Sequence, residues 1–155
     1  MFMGCDGYPM IQDTDFNTIY KIWYKHLWPN RLSKIESHSA MLLNETYDIK
    51  NFDYKPIYLI YRIGTEIAGC NSGHMCSDNT YRSRGLYVFP AYRKQGIAVK
   101  LLKHTINKGM QEKANLIWSY PRFESWSTYM SAGFELQSVW KESETGLNAY
   151  CTIKV

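Results

Sequence analysis

The stretch LYVFPAYRKQGIAVKLL, Leu86 to Leu102, constrains the fold of this chain more than any other. Its first residues read as an apolar strand, which Pro90 ends because proline cannot donate to a sheet ladder. Arg93 and Lys94 then lead to Gly96. From there Ile97, Ala98, Leu101, Leu102, Thr105, Ile106 and Met110 recur at helical spacing, with Lys100, Lys103, His104, Asn107 and Lys108 on the opposite face. A strand that re-enters as a long amphipathic helix is the first half of a crossover between parallel strands. The start of that helix leaves backbone N–H groups without partners and carries a partial positive charge. Gly96 lets a ligand approach the backbone, and two basic residues flank it, so the junction reads as a phosphate site.

The segments around it set the rest of the order. DTDFNTIYKIWYKHLWPN opens on capping residues and places Phe16, Ile19, Tyr20, Trp23 and Leu27 on one stripe, which predicts a first helix ending at Pro29. RLSKIESHSAMLLNE has weaker periodicity through Leu32, Ile35, Leu42 and Leu43 and is expected to form a second helix, followed by the polar, aromatic connection TYDIKNFDYKP. IYLIYRI, EIAGCNSGHMC and TYRSRGLYVF, separated by the turns GT and SDN, read as a meander of three antiparallel strands. Gly85 lies inside the third, where a strand glycine marks a bulge or a close backbone approach. NLIWSY is a buried strand ended by Pro121, SWSTYMSAGF a short helix stopped by Gly133, and FELQSVWK with LNAYCTIKV a final hairpin around SETG. The expected fold class is α/β: a mixed, mostly antiparallel sheet of six to seven strands flanked by helices, with residues 1–155 as a single domain.

Composition narrows the function. The net charge of +4 comes from scattered lysines and arginines, which argues against a nucleic-acid footprint. The N-terminal MFMGCDGYPMIQD has no signal-peptide pattern, and no run approaches the ~18 apolar residues of a membrane span, so the expected location is cytoplasmic, with no membrane partner. Cys5, Cys70, Cys76 and Cys151 contain no CxxC pair and are expected to be reduced. In CNSGHMC, Cys70, His74 and Cys76 share one face of a single strand. No second cluster completes a tetrahedral site, so no metal is expected.

Arg93-Lys94-Gln95-Gly96-Ile97-Ala98 resembles the R/Q-x-x-G-x-G/A signature of the GNAT superfamily of N-acetyltransferases, LYVFPAY is similar to the strand that precedes it there, and TYMSAGF resembles the later Y-x-x-x-G-F helix end. The order of elements over nearly the whole chain is similar as well. The resemblance implies a GNAT-like acyl-CoA N-acyltransferase fold with acetyl-CoA as co-substrate. Its pyrophosphate would lie on the backbone N–H groups of Gln95, Gly96, Ile97 and Ala98, with Arg93 and Lys94 at the rim. The strand Leu86, Tyr87 and Val88 would pair with the pantetheine arm, with the N–H groups of Tyr87 and Val88 polarising the thioester carbonyl. Tyr129 falls where the family carries the acid that protonates the departing thiolate. The implied activity is transfer of the acetyl group to a primary amine of a small molecule or a protein by direct attack, with no acyl-enzyme. A homodimer is left open.

The family's strand carboxylate, which deprotonates the amine, has no counterpart in TYRSRGLYV. His74 is the candidate base, ahead of Asp78, Glu66 and Asp53. Arg82 and Arg84, two apart on a strand, share one face: both line a pocket or both lie beneath a helix. If they line it, the acceptor bears an anionic group. Trp23, Tyr24 and Trp28 are candidates for its wall, or else core and edge residues. The missing carboxylate keeps an alternative open, a non-catalytic acyl-CoA-binding sensor or scaffold of the same fold.

Overall fold

The computed structural model describes residues 9–155, so Cys5 lies outside the described residues. Asp15 caps the first helix, α1 (Phe16–Ile22), by accepting the Thr18 N–H at 2.8 Å. The helix continues as one π-helical turn, Trp23–Leu27, closed by the Trp28 N–H on the Trp23 carbonyl at 2.7 Å. The stripe read from the sequence buries Ile19, Trp23 and Leu27 against the sheet.

The second helix expected over RLSKIESHSAMLLNE does not form. Side chains there capture one another and the backbone in place of helical bonds. Arg31 Nε donates to Ser33 Oγ at 2.9 Å, Ser37 Oγ bonds His38 Nδ1 at 2.7 Å, and Ser39 Oγ accepts the Met41 N–H at 3.2 Å. Leu32 is 94% exposed, while Ile35 and Leu42 enter two separate clusters, so no continuous apolar stripe exists to hold a helix down.

A strand the sequence reading missed, β1 (Met10–Asp13), pairs antiparallel with β2 (Ile57–Ile63). β2, β3 (Glu66–Met75) and β4 (Thr80–Val88) form the expected meander. The long helix α2 (Ile97–Gln111) crosses to β5 (Leu116–Ser119), which pairs parallel with β4. On α2, Met110 faces solvent and Gly109 takes the inward place, where an added Cβ would stand 3.0 Å from Ile117 and Tyr81. After α3 (Trp126–Ser131) come β6 (Glu135–Leu136), β7 (Lys141–Ser143), β8 (Gly146–Asn148) and β9 (Cys151–Lys154). The expected final hairpin is divided: β7 and β8 form a separate ribbon, while β9 enters the main sheet between β5 and β6.

The main sheet has seven strands in the order β1-β2-β3-β4-β5-β9-β6, mixed and mostly antiparallel. One face packs α2 and α3 through Tyr81, Leu102, Ile117, Tyr129 and Phe134. The other packs α1 through Ile19, Trp23, Ile60 and Cys70. Among the described residues no helix is long and apolar enough to cross a membrane.

Candidate active site

The site is built around a break in β4. Cys70 is opposite Tyr87 and Ser72 is opposite Arg84, so Asn71 alone faces both Gly85 and Leu86: a β-bulge at the glycine marked by the sequence. Gly85 has φ +82°, and an added Cβ would lie 2.2 Å from the Trp23 ring. Its carbonyl accepts the Trp23 indole N–H at 2.8 Å.

The bulge also ends contact with the next strand. The β4–β5 ladder runs only from Thr80–Leu116 to Arg82–Trp118. One step further, the Ser119 hydroxyl reaches the Ser83 carbonyl at 2.8 Å where a backbone bond would be expected, and the strands then part. On the other side, the Phe89 N–H bonds the Ala68 carbonyl at 2.9 Å. By strand alternation the Tyr87 backbone faces β3 as well, and the Leu86 and Val88 backbones face the gap. The N–H pair directed into the gap is therefore Leu86 and Val88, which corrects the expected Tyr87 and Val88.

A cavity of about 580 Å³ fills this gap and extends to the start of α2. Of the nine expected donor-binding residues, Leu86, Tyr87, Val88, Arg93, Lys94, Gly96, Ile97 and Ala98 line it, and Gln95 does not. Leu27, Arg122, Ser125 and Thr128 complete the wall from the π turn and the approach to α3. Nothing in a strand-loop-helix motif points to them.

Gly96 caps α2 in the left-handed region at φ +80° with no side-chain cap, and the first helical bond is made by Lys100. The N–H groups of Ile97, Ala98 and Val99 thus point out of the helix end, as an anion site requires. An added Cβ on Gly96 would meet nothing within 4 Å, so the glycine serves backbone angle and open space. Arg93 Nε is committed to the Val88 carbonyl at 2.8 Å, which fastens the loop to the end of β4. The gap with two free N–H groups and the uncapped helix end fit the two polar regions of an acyl-CoA arm.

Tyr129 is not itself among the residues that line the cavity, although Thr128 next to it is; it is 4% exposed and packed on Phe134. Burial pushes its phenol well above the ordinary tyrosine value, while Ser119 within hydrogen-bonding reach, Arg82 and Arg122 pull the other way. It stays protonated through the physiological range and sits beside the residue that marks the parting of β4 and β5.

His74 is buried with both ring nitrogens engaged. Nδ1–H donates to the Met75 carbonyl at 2.9 Å, and Nε2 accepts the Ser39 N–H at 3.2 Å. Burial holds its pKa down at about 3. No lone pair remains for an amine, so the geometry speaks for a structural tie to the 28–56 loop and against the base role expected of it. The lesser candidates are also occupied or remote: Asp78 accepts the Thr80 N–H and hydroxyl, Glu66 accepts the Tyr92 hydroxyl, and Asp53 is exposed in a 3-10 turn. Cys70 and Cys76 are buried free thiols, and among the described residues no group of three or more His, Cys, Asp or Glu side chains converges as for a metal.

A second cavity, about 350 Å³, lies on the α1 face of the sheet. Arg82 and Arg84 both line it, which settles the pair's two placements in favour of the pocket. Trp28 and Tyr47 belong to its wall; Trp23 is core, and Tyr24 is exposed and stacked on Tyr20. Glu36 and Glu144, unmarked by the sequence, also line it. The linings of the two cavities share no residue but approach each other along the chain on either side of the bulge: Leu27 and Leu86 line the first, and Trp28 and Arg84 the second.

Known proteins share this arrangement. A protein from Lactobacillus plantarum described as an N-acetyltransferase superposes with a TM-score of 0.69 at 12% identity, covering 94% of this chain and 97% of its own. One from Salmonella typhimurium, described as an acetyltransferase and solved with its cofactor acetyl-CoA, gives 0.66 at 16% identity over 94% and 93%. The ribosomal-protein-S18-alanine N-acetyltransferase from Escherichia coli gives 0.63 at 16% identity over 94% and 93%. No curated protein sequence matches the chain. The model of the acetyltransferase (GNAT) family matches residues 20–134, most of the chain and every residue that lines the first cavity. With that match on a bulged strand and an uncapped helix start, the chain belongs to the acetyltransferase (GNAT) family, acyltransferases whose co-substrate is acetyl-CoA.

Proposed function

We propose that this chain transfers the acetyl group of acetyl-CoA to a primary amine by direct attack, with the donor in the first cavity and the acceptor in the second. The observation that carries the reading is the bulge in β4, which has Leu86 of the first cavity on one side and Arg84 of the second on the other, with the Leu86 and Val88 N–H groups facing the gap. Acetyl-CoA supplies an activated acyl group. The start of α2 holds its pyrophosphate, the free edge of β4 aligns its arm, and the same N–H groups stabilise negative charge on the carbonyl oxygen. Tyr129 donates its proton to the leaving sulfur. The proton of the attacking amine passes to water in the second cavity.

A turnover screen of acetyl-CoA against amines, amino acids, polyamines and peptides, run beside Tyr129→Phe, tests this. Acetylation of an amine, slowed in the variant, supports it; failure of acetyl-CoA to bind overturns it. The engaged nitrogens of His74 and the absence of a carboxylate on β4 favour one second reading, a non-catalytic acyl-CoA sensor. Tight binding without turnover of any acceptor would select it.

A further inference from the structure

Two arginines on the floor of the second cavity lack the partners that buried cations require. Arg82 and Arg84 are 7% and 5% exposed, and their charge is costly to bury unless paired. Among the described residues neither makes an ion pair with a carboxylate. The acidic side chains of the same cavity are already taken: Glu144 lies 3.5 Å from Arg31, and Glu36 lies 3.6 Å from Lys34.

Each guanidinium presents five N–H donors, of which few are used. Arg82 donates to Ser39 Oγ at 2.8 Å and to the Ser83 carbonyl at 3.4 Å; Arg84 donates to the Glu36 carbonyl at 2.8 Å. Aromatic rings fix both planes. Arg82 lies 4.6 Å over Trp118, and Arg84 lies 4.9 Å from Trp23 and 5.4 Å from Trp28. Stacking offsets some of the cost of burial, but a ring offers no acceptor in the plane of the fork. What remains is a rigid pair of forks with donors to spare, facing a cavity the size of a small metabolite.

We infer that the acceptor carries an oxyanion, a carboxylate or a phosphate, close to its amine, and that Arg82 and Arg84 receive it. This rests on reading the second cavity as the acceptor side. Closeness follows from the strand: Arg84 precedes the bulge and Leu86 already lines the donor cavity, so their Cα atoms are about 7 Å apart or less. An anion seated on the Arg84 guanidinium then lies about one arginine side chain from the strand positions that border the gap, within reach of an amine carried on the same small molecule. Burial lowers the two arginines to about 10 and about 9, which leaves both charged at neutral pH.

The test follows the arginine Nε–H signals of Arg82 and Arg84 by 15N NMR in protein saturated with coenzyme A. Glycine, L-glutamate and phosphoethanolamine are titrated against glycinamide and ethanolamine, amines that carry no oxyanion. Saturable shifts from the oxyanion-bearing amines, at least tenfold tighter than from the amines without one, are expected, and the better of amino acid and phosphoethanolamine identifies carboxylate or phosphate. Arg84→Gln should abolish that preference with coenzyme A affinity within about twofold, and Arg84→Lys should restore part of it. Equal response to amines with and without an oxyanion, or no response to any, overturns the inference, and the wild-type titration decides this even if the variants fail to fold. Coenzyme A affinity, measured separately, reports on the donor site alone, so its failure is distinguishable from failure of the arginine pair.

Discussion

The Trp23 indole donates to the Gly85 carbonyl at 2.8 Å while its ring fills the space a Cβ on Gly85 would need. The helix thereby holds the bulge open from below. Gly85→Ala combines a steric clash with a left-handed backbone angle, and should cost about 3 kcal/mol of unfolding free energy in urea titration. Trp23→Phe keeps most of the packing but leaves the carbonyl without its indole donor, so a loss of about 1 to 2 kcal/mol is expected. A neutral Gly85→Ala would show that the bulge is not locked.

Gly96 separates stability from binding. With nothing within 4 Å of an added Cβ, Gly96→Ala should lose only about 1 kcal/mol, from its φ of +80° alone. Gly96→Val should weaken acetyl-CoA binding at least tenfold by isothermal titration, since the side chain intrudes where phosphate is expected. Unaltered affinity would place the pyrophosphate elsewhere.

His74 gives the fold a pH dependence of definite sign. Its folded pKa, about 3, lies below the ordinary value near 6.5, so the unfolded chain binds the extra proton as pH falls. The stability it contributes is complete above pH 6.5 and declines below it. Between pH 6.5 and pH 5 the loss from this group should be about 2 kcal/mol. Denaturant titrations of wild type and His74→Asn at both values check this; an equally steep decline in the variant would assign the effect to other groups. The kcat/KM pH profile should keep its shape in the variant.

Tyr129→Phe should lower kcat at least tenfold and leave the KM for acetyl-CoA within about twofold, because it removes the proton donor and leaves the residues that line the cavity unchanged. A parallel rise in KM with kcat intact would make the residue a support for the binding wall.

The donor side was legible in the sequence because local rules determine it. A proline ends a strand, a glycine takes a left-handed angle, and an uncapped helix follows; each acts within a few residues of Gly96. The second helix was misread because serines and His38 compete for backbone bonds over 28–56, which apolar spacing does not register. β1 was missed because its pairing with Arg62, Tyr61, Ile60 and Leu59 lies some fifty residues away. The direction of the Leu86 and Val88 N–H groups turns on a one-residue offset at Gly85, and strand alternation predicts it only once the bulge is placed. The second cavity draws on residues as distant as Arg31, Arg84 and Glu144, which no local pattern connects.

The parting of β4 from β5 gives this protein a raw sheet edge in the middle of its sheet. Exposed edges invite other chains to pair and aggregate. This one is recessed in a cavity walled by the start of α2, by α3 and its approach, and by the π turn. The edge is thus guarded by enclosure within the fold, where an outer strand has only its own side chains to guard it.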